Sequence, residues 1–180
     1  ITYILVAFAI SLIGGALIGA LLSTSRTVTR VAEGFLTFLL SIPKSLFLPL
    51  FILIVGIGAT QKIAFGVFSS FAVVTVTTIV GLAQVDPDLV RMAKSQGANP
   101  AQVFLGVHLP SMTPSLLEAA RIAMILNITG ILIAEMYVSR EGLGFLVSRY
   151  GQNFQVAELL VVILVVTVIG IASNEILRAL

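Results

Sequence analysis

Cysteine and tryptophan are absent, His108 is the sole histidine, and Asp, Glu, Lys and Arg together make up only 10% of the 180 residues. Without cysteine there is no disulfide and no thiolate metal site, and the redox compartment leaves no mark. A single histidine with no companion ligand offers no metal centre. The shortage of charge excludes most. A soluble domain carries about 25% charged residues; here 58% of side chains are hydrophobic and the mean hydropathy is +1.14, too little polarity to cover a water-facing surface. The class is therefore integral membrane protein. A net charge of +2 gives no electrostatic footprint for nucleic acid. No GxxxxGK[ST] run is present, so the chain cannot cradle a nucleotide in a P-loop.

What is present is a series of long apolar runs. A helix needs about 20 apolar residues to cross roughly 30 Å of hydrocarbon. Residues 1–22 and 63–85 qualify without a charge, and 157–177 qualify with their flanks. Residues 34–58 qualify by length but are interrupted by Pro43, Lys44 and Pro49; residues 115–138 carry Glu118, Arg121, Asn127 and Glu135. Uncharged runs of this length suit helices, whereas barrel strands would be about 10 residues of alternating polarity. The expectation is an all-α membrane protein of about five transmembrane helices. The chain starts at Ile1, with no initiator Met, directly in an apolar run. It reads as one transmembrane domain over 1–180, a piece lacking N-terminal residues. Arg26, Arg30, Arg91, Lys94 and Arg178 fall on one side of such a bundle, and Lys62, Arg140 and Arg149 on the other. The positive-inside bias places the first set in the cytoplasm. Gly15 and Gly19 form a GxxxG in the first run, suited to close helix packing within the chain or between subunits.

Between the third and fourth runs lies a polar island, DPDLVRMAKSQGANPAQVFLGVHLPSMTP (86–114). Asp86-Pro87 is a helix start, Gly97 a stop, and Asn99-Pro100 a second start. The second short helix is expected to run to about His108 and end near Pro110, with Thr113-Pro114 opening the fourth span. Leu89, Met92 and Ala93 share one face of the first short helix, and Val103, Phe104 and Val107 one face of the second. A DNA-reading helix-turn-helix has this outline, but its second helix would need base-reading cations and there is no Arg or Lys from Asn99 to Pro110. A docking element for a soluble partner fits better.

The island resembles the cytoplasmic loop of binding-protein-dependent ABC importer permeases. In that pattern Glu-Ala-Ala is followed by three residues, Gly, nine residues, Ile, one residue and Leu-Pro. Here Arg91-Met92-Ala93 holds the triplet, Gly97 the glycine, Val107 the Ile position, and Leu109-Pro110 the close. The departures are Arg91 for Glu and Met92 for Ala, which remove any ion pair made by that Glu. Residues 40–58 (LSIPKSLFLPLFILIVGIG), 115–123 (SLLEAARIA) and 133–145 (IAEMYVSREGLGF) are similar to segments of the nitrate, sulfonate and taurine permeases. The resemblance implies the transmembrane domain of a type I ABC importer, multi-pass in a bacterial cytoplasmic (inner) membrane, with 86–114 as its coupling loop. It implies docking of an ATPase dimer at Arg91, Met92, Ala93, Gly97, Ala98, Asn99, Val107, Leu109 and Pro110. It further implies a second permease subunit, with a homodimer expected, and an extracytoplasmic substrate-binding protein. ATP and Mg would belong to the ATPase, and no cofactor, catalytic group or metal to this chain.

Candidates for the translocation path or gate are Asn127, Glu135 and Lys44, since polar groups inside spans are functional by default. Each has a plainer reading: Glu135 as a packed carboxylate near the outer mouth, Asn127 as an interhelical hydrogen-bonding group, Lys44 as a snorkelling ammonium. Arg121 is placed to pair with Glu118 one turn away. The segment Gly142-Leu143-Gly144 to Asn153 reads as an outer loop. The alternatives to an importer permease are a secondary transporter, which would show paired repeats or several acidic groups mid-span, and a membrane scaffold.

Overall fold

The computed structural model describes residues 1–179, and among them every regular element is helical. In order they are α1 (Thr2–Leu22), α2 (Arg26–Ser41), a 3-10 turn (Lys44–Phe47), α3 (Leu48–Val55), α4 (Ala59–Ala83), α5 (Pro87–Ser95), α6 (Pro100–Val103), a π-turn (Phe104–His108), α7 (Leu109–Val138), α8 (Leu143–Gln152) and α9 (Val156–Arg178). Four helical stretches, 2–22, 59–83, 100–138 and 156–178, are long and apolar enough to span a membrane. The expected second span is instead a bent pair, residues 26–41 and 44–55 meeting at 88°. The cause is local: Pro43 lacks an N–H and pushes Ile42 to extended backbone (φ −84°, ψ 133°), which ends α2. Pro49 falls in the first turn of α3, where no donor is missed. The helix also begins earlier than the apolar run, at Arg26.

α4 is the centre, flanked by α1 and α7. Ala7, Ser11, Gly15 and Gly19 form the buried stripe of α1. A Cβ added at Gly15 would lie 2.8 Å from Val74 Cβ, and one at Gly19 2.7 Å from Thr78 Cβ. The GxxxG therefore packs within the chain, against α4. Ser69, Ser70, Thr75 and Thr78 of α4 donate to the carbonyls four residues back, so their hydroxyls enter the bundle already paired. Phe47 and Phe51 pack edge-on or tilted against Phe65 and Phe68 of α4 at ring distances of 5.2 to 5.5 Å and hold the bent segment to the core. α9 has one buried residue, Val162, and presents long apolar faces outward, as a lipid-facing helix does.

Two expectations fail in the island and after it. The helix does not end near Pro110, nor does the fourth span start at Pro114: helix runs from Pro100 to Val138 with both prolines inside. The π-turn makes this possible. Leu109 N–H reaches back five residues to Phe104 O, a wider turn that carries the missing donor and the ring of Pro110. Second, 143–152 is not loop but the amphipathic helix α8.

The loop pair and the far-end clamp

At one end of the bundle, called here the loop end, α5 and α6 form a capped pair. Asp86 Oδ1 accepts from Asp88 N–H at 2.8 Å and caps α5. Gly97 ends it at φ +82°, with Gly97 N–H to Lys94 O at 3.0 Å and Ala98 N–H to Ala93 O at 3.1 Å. These two bonds make a Schellman close, which needs a left-handed residue at position 97. Asn99 then opens α6 with a reciprocal capping box: Gln102 N–H to Asn99 Oδ1 at 2.9 Å and Asn99 N–H to Gln102 Oε1 at 2.8 Å. The turn is thus fixed by four bonds to backbone groups within residues 93–102. α5 buries no residue; Leu89 and Met92 are exposed, as is Arg91, and Ala93 is half-buried. Arg91 Nη1 pairs with Asp88 Oδ1 at 2.9 Å, both side chains about three-quarters exposed, so the pair contributes at most about 1 kcal/mol. Of the second face, Val103 is buried, Val107 half-buried, and Leu109 and Pro110 lie exposed on the continuous helix.

The three path candidates are not brought together. Glu135 sits at the far end of α7, buried. Its Oε1 lies 3.5 Å from Lys62 Nζ of α4, and its Oε2 accepts from Gly144 N–H at 3.0 Å. Lys62 also reaches Glu141 O at 3.5 Å and lies over the Tyr3 ring at 5.3 Å. The Lys62–Glu135 pair thereby ties α1, α4, α7 and α8, and the carboxylate caps α8 where the helix dipole favours negative charge. Gly142 and Gly144 serve that approach: a Cβ at 142 would meet the Glu135 carboxylate, and one at 144 would meet Leu132 O. The Gly-Leu-Gly is therefore the seat of a carboxylate. Sequence reading missed Lys62, which it assigned to an outer connection; the Gly-Leu-Gly after Glu135 was the available signal.

Asn127 is fully buried between α7 and α4. Ser70 donates its proton to Gly66 O at 3.1 Å, so Asn127 Nδ2 donates to Ser70 Oγ at 3.3 Å, and Asn127 Oδ1 has no partner among the described residues. This is interhelical hydrogen bonding of about 0.6 to 2 kcal/mol. Lys44, half-buried at the bend, lines a separate cavity. Arg121 pairs with Glu118 at 2.8 Å as expected and also reaches Asn174 of α9 at 3.3 Å. His108 lies in the π-turn, and no cluster of three metal-ligating side chains occurs among the described residues.

A helical bundle with several membrane-length helices and a capped helix pair standing off one end defines a polytopic membrane domain. The fold is that of a chain from the MetNI methionine ABC transporter in an inward-facing conformation: TM-score 0.78 at 23% identity, covering 99% of this chain and 91% of that one. Residues 11–180 match the family described as the binding-protein-dependent transport system inner membrane component, and the chain belongs to that family. It is 30% identical over its whole length to the taurine transport system permease protein TauC of Escherichia coli K12, spanning 66% of that protein. It is 27% identical over 97% of its length to the formylaminopyrimidine transport permease protein ThiX of Halalkalibacterium halodurans, spanning 70% of it. The chain thus spans about two thirds of the length of these relatives.

Proposed function

We propose that the chain is the membrane-spanning permease subunit of an ATP-driven ABC importer that moves a small solute inward by alternating access. The observation that carries this is the loop pair. It is rigidly capped, fixed to α4 on one side and to the 39-residue helix 100–138 on the other, and turns an exposed apolar face away from the bundle. In this reading the loop end faces the cytoplasm, and Arg91, Met92, Ala93, Gly97, Ala98, Asn99, Val107, Leu109 and Pro110 present the surface gripped by a dimer of ATPase subunits. ATP and Mg are held by those subunits, and this chain supplies no catalytic group or cofactor site. Closure of the ATPases moves α5, and the stiff junction passes the motion to α4 and α7 as a two-state rocking of the bundle. A second permease subunit, identical in the simplest assembly, completes the path, and an extracytoplasmic binding protein delivers solute at the far end. The cargo fits the size class of taurine or a formylaminopyrimidine, the solutes named for the relatives.

The structure favours a plain role for two path candidates. Glu135 acts as the far-end clamp and Asn127 as a packing group, which leaves Lys44 as the polar group available to a solute. The importer reading is tested by reconstituting the chain in liposomes with its ATPase and binding protein. Solute-loaded binding protein is expected to raise ATP hydrolysis several-fold and to drive uptake. Uptake that follows an ion gradient with no ATPase present contradicts it and favours a secondary transporter.

A further inference from the structure

Lys44 stands at the 88° bend and makes no hydrogen bond or ion pair among the described residues. It lines a cavity of about 290 Å³ with Ser45, Phe65, Ser69, Thr129 and Gly130. Phe65 and Ser69 lie six and ten residues inside the far end of α4, and Thr129 nine residues inside that of α7, which is about 9–15 Å at 1.5 Å per residue. In a hydrocarbon core of about 30 Å this is the far half, approaching the midplane. An ammonium without a counter-ion at that depth is unfavourable unless it faces water or a ligand. The carboxylate of the far-end clamp does not supply one: Glu135 is engaged by Lys62 and Gly144 N–H. Lys44 is therefore the one charged side chain among the described residues that line the cavity.

The hydroxyls add direction. Ser69 Oγ donates to Phe65 O at 2.7 Å and Thr129 Oγ1 to Ile125 O at 2.9 Å, so both lining residues have spent their proton and can act only as acceptors.

We propose that the bend in the second span is a solute subsite in which Lys44 receives an anionic head, and Ser69 and Thr129 accept from an N–H or O–H elsewhere on the same solute. This rests on the transport reading above and adds to it the chemistry of the cargo: a small molecule carrying a carboxylate, sulfonate or phosphate together with a hydrogen-bond donor. These 180 residues hold no cysteine, so an introduced one is the single thiol among them. In the reconstituted complex, Ser45→Cys is labelled with the anionic sulfonatoethyl and the cationic trimethylammonioethyl methanethiosulfonates; the thiolate attacks the reagent's thiol sulfur, forming a disulfide and releasing methanesulfinate. The anionic reagent is expected to react faster, and adding Lys44→Gln is expected to lower the anionic-to-cationic rate ratio about tenfold, whereas Lys44→Arg keeps it. A ratio unmoved by Lys44→Gln, or a thiol that neither reagent reaches, overturns the subsite. ATP-independent behaviour of the complex with the Lys44-dependent ratio intact overturns the transport reading and leaves the anion site standing.

Discussion

Glu135→Ala is expected to destabilise the detergent-solubilised protein by about 3–5 kcal/mol, because it leaves Lys62 buried without its counter-ion. It also orphans Gly144 N–H, which the carboxylate accepts at 3.0 Å. Lys62→Met should have a loss of similar size by exposing the buried carboxylate to apolar neighbours. Glu135→Gln keeps an acceptor for Gly144 and should fall between Glu135→Ala and the native chain. The double variant Lys62→Met with Glu135→Gln should cost less than the sum of its parts, since no unpaired charge remains. Thermal unfolding followed by size-exclusion fluorescence orders the series. If Glu135→Ala costs under about 1 kcal/mol while Glu135→Gln abolishes uptake, Glu135 is a path group and the clamp is wrong.

Gly97→Trp is expected to lower uptake at least tenfold, equivalent to about 1.4 kcal/mol, while the chain still inserts and folds. Two facts separate the effects. Gly97 has φ +82°, so an L side chain other than Asn or Asp incurs roughly 1–2 kcal/mol of backbone strain there. Beyond its two chain neighbours, no atom of the described residues lies within 4 Å of a Cβ added there, so bulk at 97 meets open space and disturbs what docks on the loop. Gly97→Asn tolerates the left-handed conformation and adds little bulk, and should retain most activity. Equal loss in both variants would assign the effect to strain; no loss in either would remove the loop from coupling. Uptake and retention of the ATPase on a tagged permease are the readouts.

The loop was legible in the sequence because its structure is local. Asp86-Pro87, Gly97 and Asn99-Pro100 each cap or stop a helix through bonds within five residues, and all three punctuate the chain where expected. Uncharged runs placed α1, α4 and α9 for the same reason. The continuous helix through Pro110 was hidden, since it depends on a π-turn that local preference for proline argues against. α8 was hidden because its start is set by a carboxylate nine residues earlier, and Lys62 because its partner lies 73 residues away. Tertiary pairing decides such positions, and no single window contains both partners.

The most direct measurement uses Met92→Cys, a lone cysteine on the exposed face of α5. In membranes holding the whole complex, it is expected to cross-link to the ATPase subunit with a short bifunctional reagent, with a yield that changes between nucleotide-free and ATP-bound states. It should also be shielded from a membrane-impermeant maleimide added on the ATPase side. Labelling from the opposite side of the membrane, or free labelling that the ATPase does not alter, would contradict the docking of this loop and with it the importer reading.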